Sequence, residues 1–121
     1  MGAGDPAPMA MQPYSAQAPD RTEVEQLPGA VVLEFGTNWC GYCSAAQPLV
    51  ERAFAGHPGV RHLRIEDGPG RLLGRSFKVK LWPTLVFLHD GRETARVVRP
   101  GDPAELLAAF DSIDPGDASP P

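Results

Sequence analysis

The chain has 121 residues, enough for one ordinary domain and too few for two. Apolar residues make up 42% and charged residues 21%, and the formal charge is −4; this fits a globular protein and argues against a basic, nucleic-acid-binding face. No apolar run approaches the ~18–20 residues of a membrane span, so neither nucleic acid nor membrane is expected as a partner.

Residues 1–19 hold no Lys or Arg, no apolar stretch of signal-peptide length, and a proline every few positions. They read as a flexible tail rather than a secretory signal, and residues 114–121 read as a second one. The folded domain is expected over 20–113. Asp20 followed by Glu23 predicts a capped short helix ending before Pro28-Gly29. Val31–Phe35 is a β-branched apolar run, the pattern of a buried strand. A helical pattern starts at Gly41, runs through Leu49, Val50, Ala53 and Phe54, and stops at Gly56. Val60–Glu66 predicts a strand with Leu63 and Ile65 on one face, His62 and Arg64 on the other. Arg71–Phe77 predicts a short helix burying Leu72, Leu73 and Phe77. Thr84–Leu88 and Glu93–Val98 predict strands joined by an Asp90-Gly91 hairpin. Asp102-Pro103 opens a last helix, expected to bury Leu106, Leu107, Phe110 and Ile113. Strand–helix–strand units need a parallel portion, and the hairpin adds an antiparallel pair. The fold class is therefore α/β, a central mixed sheet between helices.

Only two cysteines are present, Cys40 and Cys43. A disulfide closing so short a loop stabilises by roughly 2 kcal/mol in the chain-entropy account, against ~4.7 for a hundred-residue loop, so its use is chemical rather than structural. Positions i and i+3 share a helix face, and their separation suits a disulfide. Cys40 falls at the start of the helix, where unpaired N–H groups and the macrodipole stabilise a thiolate; Cys43, one turn in, is expected to stay protonated and act second. The Tyr42 N–H is expected to help hold the thiolate. By itself the pair is also compatible with an inert pair or half a zinc site. Further zinc ligands would have to come from His57, His62 and His89, which contain no second close pair; no metal is expected.

Residues 30–113 resemble the thioredoxin family. The resemblance rests on VVLEF before Trp39-Cys40-Gly41-Tyr42-Cys43, Pro48 in the following helix, Trp82-Pro83-Thr84 opening a strand, Asp90-Gly91 in a hairpin and Gly101 before the last helix. It implies that Cys40 attacks and Cys43 resolves. It implies a cis bond at Pro83, with the Trp82 backbone offered to an extended peptide. The substrate surface would comprise Trp39, Gly41, Tyr42, Trp82, Pro83 and Gly101. Glu34 resembles the family's buried acid, usually Asp, which helps take a proton from the resolving cysteine. Burial is expected to raise its pKa, so that Glu34→Gln would stabilise the fold at neutral pH.

Several positions depart from the family pattern. Tyr42 replaces the usual proline, Gly36 stands where tryptophan is frequent, and His62 stands near a frequent lysine. A regular first strand is missing, since Gln12–Gln17 contains Pro13. The resemblance implies a thiol–disulfide oxidoreductase, a reductase of protein disulfides without metal or organic cofactor. Its expected setting is cytoplasmic and monomeric, with a thioredoxin-reductase-type flavoprotein as partner. The alternatives are a binding module with little turnover and an exported oxidase or isomerase.

Overall fold

The computed structural model describes residues 11–114. Helix α1 (Arg21–Glu25) starts on the anticipated capping box: Asp20 accepts from the Glu23 N–H, and Glu23 reaches back to the Asp20 N–H. Strand β1 (Ala30–Gly36) leads into helix α2 (Gly41–Ala55), and β2 (Arg61–Glu66) into α3 (Leu72–Ser76). The hairpin β3 (Thr84–His89) and β4 (Arg92–Val98) precedes α4 (Pro103–Asp111). Asp90 and Gly91 take positive φ values of 52° and 84°, the geometry a two-residue hairpin turn asks of them.

The strands lie in the order β2-β1-β3-β4, with β1–β2 parallel and the other two pairs antiparallel. Because side chains alternate across a sheet, β1 sends Val31, Leu33 and Phe35 into one core and Val32 into the other. The first core packs with Val24 of α1 and Leu73 of α3; the second with Ala46 and Val50 of α2 and Leu106 and Phe110 of α4. Glu34 falls on the Val32 side, under α2. Two apolar expectations fail: Leu72 and Leu107 are exposed. Each lies one residue, about 100° of helix turn, off the stripe that buries Leu73 in α3 and Leu106, Ala109 and Phe110 in α4.

The expected tail also differs. Residues 1–10 and 115–121 lie outside the described residues, but the segment after residue 10 lies against β2. Ser15 forms a parallel bridge with Ile65, its N–H donating to the Arg64 carbonyl and its own carbonyl accepting from Glu66. Tyr14 is buried. Pro13 and Pro19 limit this pairing to one bridge, because proline has no N–H for a ladder. At the other end, Asp114 meets His57 at 2.7 Å.

Candidate active site

Strand β1 ends at Gly36, the chain turns through Thr37, Asn38 and Trp39, and Cys40 becomes the N-cap of α2 with extended backbone. Its sulfur occupies the place of a capping oxygen and accepts the Cys43 N–H at 3.2 Å. An N-cap side chain reaches the second or third helical N–H. Here it reaches the third, so the anticipated donor, Tyr42, gives way to Cys43. Both thiols are free; Cys40 is half-buried and Cys43 buried. Burial, and then the adjacent Cys40 side chain, push the Cys43 thiol up to about 11, against smaller opposing effects of the Thr37 backbone and the Tyr14 hydroxyl.

Glu34 is 1% exposed and fully partnered. Its Oε2 accepts the Tyr14 hydroxyl at 2.5 Å and Arg64 Nη2 at 3.2 Å, while Oε1 meets His62 Nε2 at 2.7 Å and Arg64 Nε at 3.2 Å. Burial alone would raise this carboxyl. The hydrogen bond with His62, the charges of Arg64 and His62, and the Tyr14 hydroxyl overcome it and hold the group below its ordinary value. The expected upward shift is thus reversed. The reason is register: β1–β2 pairing sets Arg64 opposite Glu34, and His62 opposite Val32 on the same face.

The Trp82–Pro83 bond is cis. The Trp82 indole donates to Asp67 Oδ2 at 2.9 Å, and the Trp82 carbonyl accepts Arg99 Nε at 2.8 Å. The same guanidinium lies 3.7 Å over the Tyr42 ring. Arg99 therefore ties the cis-proline segment to the first turn of α2, and it already occupies one carbonyl expected to meet a peptide. Trp39 is 72% exposed and Tyr42 60%, so neither packs in the core. Gly41 opens α2 on the surface, and Gly101 lies in the exposed β4–α4 connection.

Three contributors escaped the sequence reading: Tyr14, Arg64 as the partner of Glu34, and Arg99. Tyr14 is the lone aromatic in its proline-rich segment, the available clue to burial. Arg64 was visible only as part of a polar strand face. Arg99 gave no signal, since its placement depends on a backbone with φ of 50°. Among the described residues no cluster of three or more His, Cys, Asp and Glu side chains is arranged to hold a metal ion, and no helix is long and apolar enough to cross a membrane.

This geometry can be set beside known proteins. The sequence model of the family described as Thioredoxin matches residues 16–112. A thioredoxin of Chlamydia pneumoniae is 34% identical over 70 residues, spanning 58% of this chain and 69% of that protein. Thioredoxin Asp f 28 of Aspergillus fumigatus is 29% identical, over 70% of this chain and 79% of its own length. The solved structure of thioredoxin 2 from Pseudomonas aeruginosa PAO1, in its reduced form, superposes with a TM-score of 0.77 at 60% identity, covering 85% of this chain and 95% of that one. With a paired Cys-x-x-Cys at a helix start, a buried acid beneath it and a cis-proline bond in the same fold, the chain belongs to the thioredoxin family of thiol–disulfide oxidoreductases.

Proposed function

We propose that this protein reduces disulfides in other proteins through a Cys40/Cys43 dithiol cycle. Cys40, the more accessible sulfur, attacks the substrate disulfide and forms a mixed disulfide. Cys43 then attacks Cys40, releasing the reduced substrate and leaving the Cys40–Cys43 disulfide. The observation that carries this reading is the Cys43 N–H donating to Cys40 Sγ at 3.2 Å. It aligns the resolving residue with the attacking one and supplies a hydrogen bond to a thiolate at that position.

Trp39, Gly41, Tyr42, Trp82 and Gly101 form the surface that receives the substrate, and Pro83, itself buried, contributes through the cis backbone. The exposed Trp39 and Tyr42 rings supply its apolar part, and Arg99 must release the Trp82 carbonyl before a peptide can pair with it. Glu34 serves the resolving step from beneath. The working unit takes in Tyr14, ahead of the 20–113 span. From the family likeness we carry over a thioredoxin-reductase-type flavoprotein as electron donor, a monomeric state and a cytoplasmic setting, with no bound cofactor needed.

The test is trapping. Cys43→Ser mixed with a disulfide protein should retain substrate covalently on Cys40, seen by mass spectrometry; Cys40→Ser should retain none. Equal trapping by both variants would overturn the assignment. Failure of the unmodified protein to reduce insulin disulfides would favour a binding module instead.

A further inference from the structure

The roles proposed above leave one step without a visible route. Cys43 must lose a proton as it attacks, and Glu34 is engaged by Tyr14, His62 and Arg64 rather than by the thiol. Tyr14 stands between them. A Cβ placed on Gly36 would lie 2.7 Å from Cys43 Sγ and 2.9 Å from the Tyr14 hydroxyl, so both atoms border the same small space. The hydroxyl is simultaneously 2.5 Å from Glu34 Oε2.

Nothing about this placement is loose. Asn38 clamps the Tyr14 backbone from both sides, its Oδ1 accepting the Tyr14 N–H at 2.9 Å and its Nδ2 donating to the Tyr14 carbonyl at 3.2 Å. Asn38 is itself two residues before Cys40. The neighbouring Ser15 is fixed to β2 by two backbone hydrogen bonds. The Arg64 guanidinium lies 3.9 Å over the Tyr14 ring. A buried tyrosine held by its backbone and its ring, with its hydroxyl on a carboxylate and bordering a nucleophile, is arranged as a preorganised proton carrier.

We propose that Tyr14 relays the Cys43 proton to Glu34 during resolution of the mixed disulfide. The Cys43 thiol passes its proton to the Tyr14 oxygen while the Tyr14 hydroxyl passes its own to Glu34 Oε2. The Cys43–Cys40 bond forms as the Cys40–substrate bond breaks, and the bonding pair leaves on the substrate sulfur, which takes a proton from water. The extra proton on Glu34 then returns to solvent beside His62, whose ring meets Oε1 and reaches the surface.

The resting protonation states suit this direction. Burial, and then the Glu34 charge, raise the Tyr14 phenol, which stays protonated. The charged and titratable groups facing the hydroxyl are Glu34 from β1, His62 and Arg64 from β2, and Cys43 from α2. Since Arg64 and His62 favour the Glu34 carboxylate, the proton stays there only in passing. In this account Gly36 is part of the route, because any side chain there would fill the space that Tyr14 and Cys43 share.

The test separates the two half-reactions by stopped-flow. Tyr14→Phe keeps the ring under Arg64 and removes the relay. It should slow decay of a preformed mixed disulfide by about 100-fold or more at neutral pH, the scale of a lost acid–base group. The deficit should close as pH rises and Cys43 ionises without help. In the Cys43→Ser background, Tyr14→Phe should leave the rate of mixed-disulfide formation unchanged. Adding Glu34→Gln to Tyr14→Phe should slow resolution little further. A normal resolving rate in Tyr14→Phe, or a deficit constant across pH, would overturn the relay. Absence of any mixed disulfide on Cys40 would instead overturn the roles on which it rests. Should Tyr14→Phe fail to fold, 3-fluorotyrosine at position 14 keeps the shape and makes the phenol more acidic. The resolving rate at neutral pH should then change while mixed-disulfide formation does not, and an unchanged resolving rate overturns the relay.

Discussion

Arg64 and Glu34 face one another across the parallel β1–β2 pair, both withdrawn from water, with 3.2 Å between Nη2 and Oε2. The pair makes the acid beneath the cysteines a fixed anion rather than a strained one.

Its first consequence concerns Glu34→Gln. Removing one partner leaves the Arg64 charge buried without its counter-ion, which costs about 3 kcal/mol in such pairs. The substitution should therefore destabilise at neutral pH, the opposite of what burial alone suggested. The folded pKa lies below the unfolded value of ~4.3, so the stabilisation is present above ~4.3 and is lost as pH falls through the folded value. Urea unfolding of both proteins from pH 7 to 3 should show the gap narrowing at the acid end. A gap that widens would refute the ion pair as its source.

Cys43 gives an alkaline counterpart. Its thiol is raised to about 11 in the fold, against ~8.5 when unfolded. A raised acid contributes stability fully below the unfolded value and loses it as pH rises through the folded one. The reduced protein should lose stability as pH rises from the unfolded value toward about 11, and Cys43→Ser should be spared that loss. Parallel urea unfolding of the two reduced proteins, with a common alkaline slope, would count against it.

Gly36→Ala should be costly although it adds one methyl. The new Cβ would stand 2.7 Å from Cys43 Sγ and 2.8 Å from Tyr14 Cζ, and two packed neighbours must move. Overpacking of this kind costs about 1–3 kcal/mol. A thermal scan unaltered from wild type would show that the site yields.

Trp82→Phe tests the link from the cis-proline segment to α3. The phenyl ring keeps apolar contact and loses the N–H that reaches Asp67, a buried carboxylate. Leaving that oxygen without its donor should cost about 1–3 kcal/mol. Gly74→Ala should act on the same link, since a Cβ there would run into Asp67 Oδ1. Tolerance of both changes would mean that Asp67 finds other partners.

Most of the architecture was legible because its signals are local. The Asp20–Glu23 box, the β-branched run before the cysteines, the Asp90-Gly91 turn and the Asp102-Pro103 start each specify an element within a few residues. The site is legible where spacing within one segment defines it, as for Cys40 and Cys43, and at Pro83, where the family resemblance implies the cis bond. The burial of Glu34 is legible in the run VVLEF but its charge state is not, because the deciding partner comes from β2, 30 residues away. The burial of Tyr14 is hidden for the same reason. A single aromatic among prolines says nothing of the Asn38 clamp that fixes it.

Helix α1 spans five residues, far below the ~12–15 at which a helix is even marginal alone in water. Its supports are remote in sequence: Arg21 donates to the Ser76 carbonyl at 2.7 Å, Gly29 donates to Asp90 Oδ1 at 2.7 Å, and the Gly91 turn sits so close over Glu25 that a Cβ would strike its carbonyl. A chain emerging from the ribosome therefore makes α1 early and completes it late. Residues 21–25 must wait as loose chain until the β3–β4 turn has been synthesised and folded back over them.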